Sequence, residues 1–189
     1  LLEYAGQCDF ILLIGGRLSV LGGNARLGHG EYMVAEADES DRSFLKLWPS
    51  IAVVTNIDHE HMESYGSFEE LQQAFADFAN KVPFYGSVVA CADDTSLAEV
   101  LPRIKRRVVS YGIDSPAAHF VGRDVALGAF GGRCTVERNS AEGTQRLGTL
   151  ELAVPGRHNL QNALAVVAVA DRIGVEFARV AAALRTFHG

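Results

Sequence analysis

Short, wholly apolar runs alternate with amphipathic stretches over the first two thirds of the chain. Phe10-Ile-Leu-Leu-Ile14 and Tyr32-Met-Val-Ala35 are bounded by glycine or charge, the pattern of parallel strands covered on both faces. The glycine-rich stretch between them, Gly15 to Gly30, reads as a loop. A third strand is predicted at Ile51-Ala-Val-Val-Thr55, after the Trp48-Pro49 break. Ser67-Phe-Glu-Glu70 has the form of a capping box, Ser at the N-cap and Glu three residues later. It opens a helix whose Leu71, Phe75, Phe78 and Val82 make a stripe of period 3.6. A strand at Ser87–Cys91, a short helix around Leu97–Leu101 and a strand at Arg107–Tyr111 follow.

The rhythm changes after Gly112. Segments around His119–Val121, Arg133–Glu137 and Thr149–Val154 are short, alternating and separated by Gly, Asn and Ser, which predicts antiparallel hairpins. Helical periodicity returns from Asn159 to Ile173, stops at Gly174 and resumes from Glu176 to Leu184. The fold class expected is α/β: a mainly parallel sheet flanked by helices, with a small antiparallel β addition.

Composition narrows the function classes. A length of 189 residues with 48% hydrophobic side chains suits one domain with a proper core and argues against disorder. The net charge of −6 gives no general reason to bind nucleic acid. The longest apolar run, Ala163 to Ala170, is eight residues, far short of the ~20 a membrane-spanning helix needs. No charged leader with an apolar core is visible, and Cys8, Cys91 and Cys134 are scattered and odd in number. Together these point to a reducing, cytoplasmic setting with no membrane partner. The opening Leu1-Leu-Glu-Tyr4 reads as the last turn of a helix begun upstream, so the chain is expected to be a piece of a longer protein.

Three segments could carry chemistry. Ala35-Glu-Ala-Asp-Glu-Ser-Asp41 places four carboxylates directly after a buried strand. Ligands of open α/β sheets sit beyond the carboxyl ends of the strands, so these acids could hold Mg²⁺; they could equally form a solvated turn. Thr55-Asn-Ile-Asp-His-Glu-His61 repeats the arrangement at the end of another strand. Histidines two apart also suggest a zinc hydrolase using His59 and His61. Pro155-Gly-Arg-His-Asn159 with Asn162 opens a helix, where Asn159 is a natural N-cap. A carboxamide is also the group that reads a purine edge, offering a donor and an acceptor together. A phosphate cradle of the Gly-Lys-Ser/Thr type is absent from this sequence, because Lys46, Lys81 and Lys105 follow Leu, Asn and Ile.

Taken in order, Ala25-Arg-Leu-Gly-His-Gly30, Val34 to Asp41, Val54-Thr-Asn-Ile57 with Glu60-His61-Met62, Pro83-Phe-Tyr-Gly86, and Pro155 to Asn159 with Asn162 resemble the Mur ligase family over nearly the whole chain. The resemblance implies that residues 1–189 form the family's central, ATP-binding, P-loop-like domain. It implies Glu36 as a Mg²⁺ ligand, His61 as a ligand to a second Mg²⁺, and Asn159 and Asn162 near the adenine. The implied chemistry is phosphorylation of the lactoyl carboxylate of UDP-N-acetylmuramate, then attack on the acyl phosphate by the amino group of L-alanine, in peptidoglycan precursor synthesis. A related branch recycles muropeptides on the same sugar nucleotide and carries an aromatic residue where Ser40 stands, so Ser40 tips the choice to alanine addition. Some family members use a carbamylated lysine; no lysine lies between His61 and Lys81 here, and none is assigned. The Gly-Lys-Thr loop, the amino-terminal sugar-nucleotide domain and the carboxyl-terminal domain are expected outside this chain, which by itself is expected to be inactive. A non-enzymatic α/β binding module with an acidic surface loop is the remaining alternative.

Overall fold

The computed structural model describes residues 11–18, 23–26 and 30–188, with side chains from residue 30 onward. The helical turn expected at Leu1–Tyr4 and the residues Cys8 and Phe10 lie outside the described residues. A three-stranded sheet has the order β2-β1-β3, from β1 (Ile11–Leu18), β2 (Gly23–Arg26) and β3 (Met33–Ala35). The two apolar runs do pair in parallel, Ile11 opposite Met33, but the expectation of a strand covered on both faces fails for β3, whose Met33, Val34 and Ala35 are all exposed because no described element packs over them. The glycine-rich stretch is not simply a loop: β1 runs on through Gly15 and Gly16, and β2 pairs back on it antiparallel. Backbone pairing does not require the apolar side chains on which the sequence pattern rests.

The larger sheet has the order β4-β5-β6-β7-β8-β9. β4 (Ile51–Val54), β5 (Ser87–Cys91) and β6 (Val108–Gly112) are parallel. β7 (Phe120–Gly128) joins β6 in parallel at Tyr111–Phe120, then turns into an antiparallel meander with β8 (Gly131–Ser140) and β9 (Gly143–Leu152). The antiparallel addition is therefore continuous with the parallel sheet. All five β5 positions are buried, as a strand covered on both faces must be.

Local signals explain the helices. α1 (Phe68–Asn80) begins at Ser67, whose Oγ accepts the Glu70 amide at 3.1 Å. The return arm of the box is displaced by one residue, Glu70 Oε2 accepting from the Gly66 amide at 2.9 Å. Leu71, Phe78 and Val82 of the stripe are buried, and Phe75 and Phe78 flank Phe44 at ring separations of 5.3 and 5.2 Å. α2 (Thr95–Val100) starts before Leu97 because Asp94 caps it through the Leu97 amide at 2.7 Å. α3 (Arg157–Arg172) and α4 (Phe177–Arg185) are separated by Gly174, at φ +77. Val175 and Gly174 donate their amides to Ala170 and Asp171 at 2.8 and 3.3 Å, the double closure of a Schellman motif. α3 packs on β5 through β8, and α4 on β9 and α3.

One local expectation is corrected. Asn159 is not the N-cap of α3; Gly156 is, at φ +108, and the helix starts two residues earlier than Asn159. A positive φ is cheap only for glycine, so Gly156 sets the corner. Asn159 instead donates Nδ2 to the Pro155 carbonyl at 2.7 Å.

Candidate functional site

The acidic segment leaves β3 and the Thr55–His61 segment leaves β4, and they are stitched together by side chains. Arg42, itself at φ +64, donates Nη1 to Glu70 Oε1 at 2.7 Å and to the Ser64 carbonyl at 3.4 Å. Its guanidinium lies 5.0 Å from the centre of the Tyr65 ring, and the Tyr65 hydroxyl donates to the Glu39 carbonyl at 2.6 Å. Burial raises the Tyr65 pKa, so the phenol stays protonated and able to donate. Asp38 and Asp41 each accept the amide two residues on, from Ser40 and Ser43, both at 2.8 Å. The Ser40 and Ser43 side chains first, and these amides second, hold the two carboxyls below the usual range and keep them ionised.

This stitching brings Glu39 to His61, with Nε2 and Oε1 3.9 Å apart. Glu60 and Glu63 approach the same imidazole at 4.0 and 3.8 Å. Glu36 is exposed at the end of β3, and the carboxylate of the acidic segment nearest His61 is Glu39. His61 holds φ +57, a conformation unusual for a non-glycine residue and concentrated at functional positions. Glu39, Thr55, Asn56, Asp58 and Glu60 line a recess beside Phe75. Asn56 spans its wall, donating to Asp58 Oδ2 at 2.6 Å. Among the described residues, no three His, Cys, Asp or Glu side chains stand close enough to hold a metal by themselves. The donor set around the recess is hard oxygen with one imidazole, which suits Mg²⁺ completed by water or phosphate oxygens rather than a closed zinc site. His59 is turned away from such a role, its ring stacked on Phe68 at 3.6 Å.

Asn159 and Asn162 sit in the first and second turns of α3, Asn159 half-buried and Asn162 exposed. The sequence reading missed what holds this end of α3 in place. Asp93, just past β5, accepts the amides of Ile113, Asp114 and Ser115 at 2.6, 3.0 and 3.0 Å, and Gln161 Nε2 at 2.8 Å. Burial alone would raise its pKa, but these hydrogen bonds, the Ile113 amide first, outweigh it and keep the carboxyl below the usual range. Arg157 adds an ion pair to Asp114 at 2.5 Å. An Asp-Asp pair ending a strand is a common turn signal, and nothing local in it points to a residue 68 positions away. The ties place the start of α3 beyond the carboxyl ends of β5 and β6. That is the edge of the sheet where β4 delivers His61, so all the loops singled out for chemistry after β4 share one side of the fold.

The Mur ligase middle domain family matches residues 21–170. A UDP-N-acetylmuramate–L-alanine ligase of Bordetella petrii is 48% identical over 98% of this chain. A solved UDP-N-acetylmuramate–alanine ligase of Thermotoga maritima is similar at TM-score 0.81 and 28% identity, over 100% of this chain and 40% of that one. A solved UDP-N-acetylmuramate:L-alanyl-γ-D-glutamyl-meso-diaminopimelate ligase of Neisseria meningitides reaches TM-score 0.83 at 27% identity, over 100% of this chain and 60% of that one. The chain spans 40% of the length of the Bordetella relative. By the family match across most of its length and by its fold, this chain belongs to the Mur ligase family, as a middle domain.

Proposed function

We propose that this chain is the ATP-binding part of a ligase that joins L-alanine to the lactoyl carboxylate of UDP-N-acetylmuramate. The observation that carries the reading is the convergence of the acidic segment and the His61 segment at the strand ends, in a chain so close in sequence to alanine-adding ligases. The recycling, tripeptide-adding reading has comparable structural likeness but weaker sequence support. In this proposal Glu36 would hold one Mg²⁺ and His61 a second, with Glu39 and Glu60 placing negative charge beside the imidazole. Bound Mg²⁺ would supply neutralisation of the charge that gathers on the transferred phosphoryl group. Asn159 and Asn162 present carboxamides to the adenine. The carboxylate of the sugar nucleotide takes the γ-phosphoryl group of ATP, ADP leaves, and the amine of L-alanine displaces phosphate to form the amide. The phosphate loop, the sugar-nucleotide domain and the amine-delivering domain belong, in this reading, to segments outside residues 1–189, and the protein acts in the cytoplasm. No helix among the described residues is long and apolar enough to cross a membrane.

The test is phosphate release by the full-length protein, with each substrate omitted in turn. Release should require both UDP-N-acetylmuramate and L-alanine. Glu36→Ala and His61→Ala should each lower turnover about a hundredfold or more, the size of effect seen when one charge-stabilising group is lost, with melting temperatures nearly unchanged. Release that ignores L-alanine but requires the tripeptide would move the assignment to the recycling branch. Full turnover in both variants would remove them from the site.

A further inference from the structure

The first turn of α3 lacks the usual local anchor. Its N-cap is Gly156, no side chain caps it, and Asn159 spends its Nδ2 on the Pro155 carbonyl. A helix start without a capping side chain leaves its first amides without partners and is prone to fray. Here the turn is fixed from outside the helix, by two ties to one corner of the sheet. Arg157 Nη2 lies 2.5 Å from Asp114 Oδ2, and Gln161 Nε2 donates to Asp93 Oδ2 at 2.8 Å. At 3.6 residues per turn, Arg157 and Gln161 are about 40° apart on the helix surface, and Asn159 and Asn162, about 60° apart, lie on the opposite side.

The corner that receives the ties is built into the sheet. Asp93 also accepts the amides of Ile113, Asp114 and Ser115. The Ala92 amide donates to the Tyr111 carbonyl at 2.7 Å, and Ser115 Oγ donates to the Ala92 carbonyl at 2.8 Å. The turn after β5 and the connection after β6 therefore brace each other. Gly112 leaves the room that the carboxylate takes, since a Cβ there would stand 2.4 Å from Asp93 Oδ1. The next residue, Asp94, caps α2 through the Leu97 amide. The acceptor that holds Gln161 is thus anchored to β5, β6 and α2 at once.

We propose that Gln161 is a positioning residue for the nucleotide. Its bond to Asp93 sets the rotation at which α3 presents the Asn162 carboxamide to the adenine. A rotation of about 10° carries a side-chain tip at a radius of about 5–6 Å through about 1 Å. That is enough to stretch a bond from Asn162 to a base edge beyond hydrogen-bond range. Asn159 is held by the Pro155 carbonyl, so the rotation falls on Asn162, exposed in the second turn. This role rests on the assignment of Asn162 to the adenine and adds a residue that itself touches no ligand.

The test is steady-state kinetics of the full-length protein carrying Gln161→Met, a side chain of similar length and helix propensity that cannot donate. The Michaelis constant for ATP should rise about five- to tenfold, within the range for residues that tune a site without touching its ligand. Turnover at saturating ATP and the melting temperature should stay at wild-type values. Inhibition by tripolyphosphate, which carries no base, should be unchanged. In an Asn162→Ala background the same Gln161→Met change should raise the ATP constant less than about twofold, because the carboxamide it aims is gone. An unchanged ATP constant in Gln161→Met beside a raised one in Asn162→Ala, whatever the melting temperatures, would overturn the positioning role and leave the adenine assignment standing. Fully additive effects in the double variant, or a tripolyphosphate constant that rises in step with that for ATP, would also overturn it and make Gln161 general support for the fold. An Asn162→Ala variant with wild-type ATP dependence would remove the adenine assignment, and the positioning role with it.

Discussion

Replacing Asp93 tests whether the start of α3 is held by that one carboxylate. Asp93→Ala removes the carboxylate that accepts from three backbone amides and from Gln161 Nε2, four hydrogen bonds of 2.6 to 3.0 Å. Hydrogen bonds to a charged group contribute about 1.5–3 kcal/mol each, so simple addition gives about 6–12 kcal/mol. The site is only partly buried, and water can reach the freed amides, so screening and rehydration cut this sharply. A loss of about 3 kcal/mol is expected for Asp93→Ala and about 2 for Asp93→Asn, which keeps the shape and one acceptor oxygen. The pH dependence follows from the depressed pKa. A carboxyl whose folded pKa lies below its unfolded value stabilises fully above the unfolded value and loses that contribution as pH falls through the folded one. The advantage of wild type over Asp93→Asn should thus be complete at pH 7 and shrink below about pH 4, the ordinary Asp range. Urea unfolding followed by far-ultraviolet circular dichroism at pH 7, 4 and 3 measures it. A penalty under about 0.5 kcal/mol at pH 7, or one that is the same at pH 7 and pH 3, would show that the carboxylate does not hold this corner.

Asn162, exposed in the second turn of α3, can be tested without confusion from capping. Asn162→Ala should be neutral or slightly stabilising, Ala being the better helix former, while raising the Michaelis constant for ATP in the full-length enzyme by about 1–3 kcal/mol of lost pairing. GTP should be a poor substrate for both forms, and an unchanged ATP constant would make Asn162 plain helix surface. Gly156→Ala should destabilise by about 1–3 kcal/mol, the range for an L-residue forced into a sparsely populated conformation, since its φ is +108 and its Cβ would stand 2.8 Å from His158; a melting temperature equal to wild type would refute this.

What the sequence determined by itself is what neighbours along the chain decide. The Ser67 cap, the Leu71–Phe78 stripe, the stop at Gly174 and the parallel-then-antiparallel order of strands were all legible, because each depends on residues within a few positions. Helix periodicity and glycine's access to positive φ act locally. The site was legible only as segments: the acidic stretch after β3, the His61 stretch after β4 and the opening of α3. Tertiary structure decided which atoms meet. Glu39, rather than any other acid of its segment, reaches His61 because Arg42 and Tyr65 clamp the two loops across 22 to 28 residues of chain. The corner before α3 belongs to Gly156 and not to Asn159, because the helix start is dictated by where Asp93 and Asp114 hold Gln161 and Arg157.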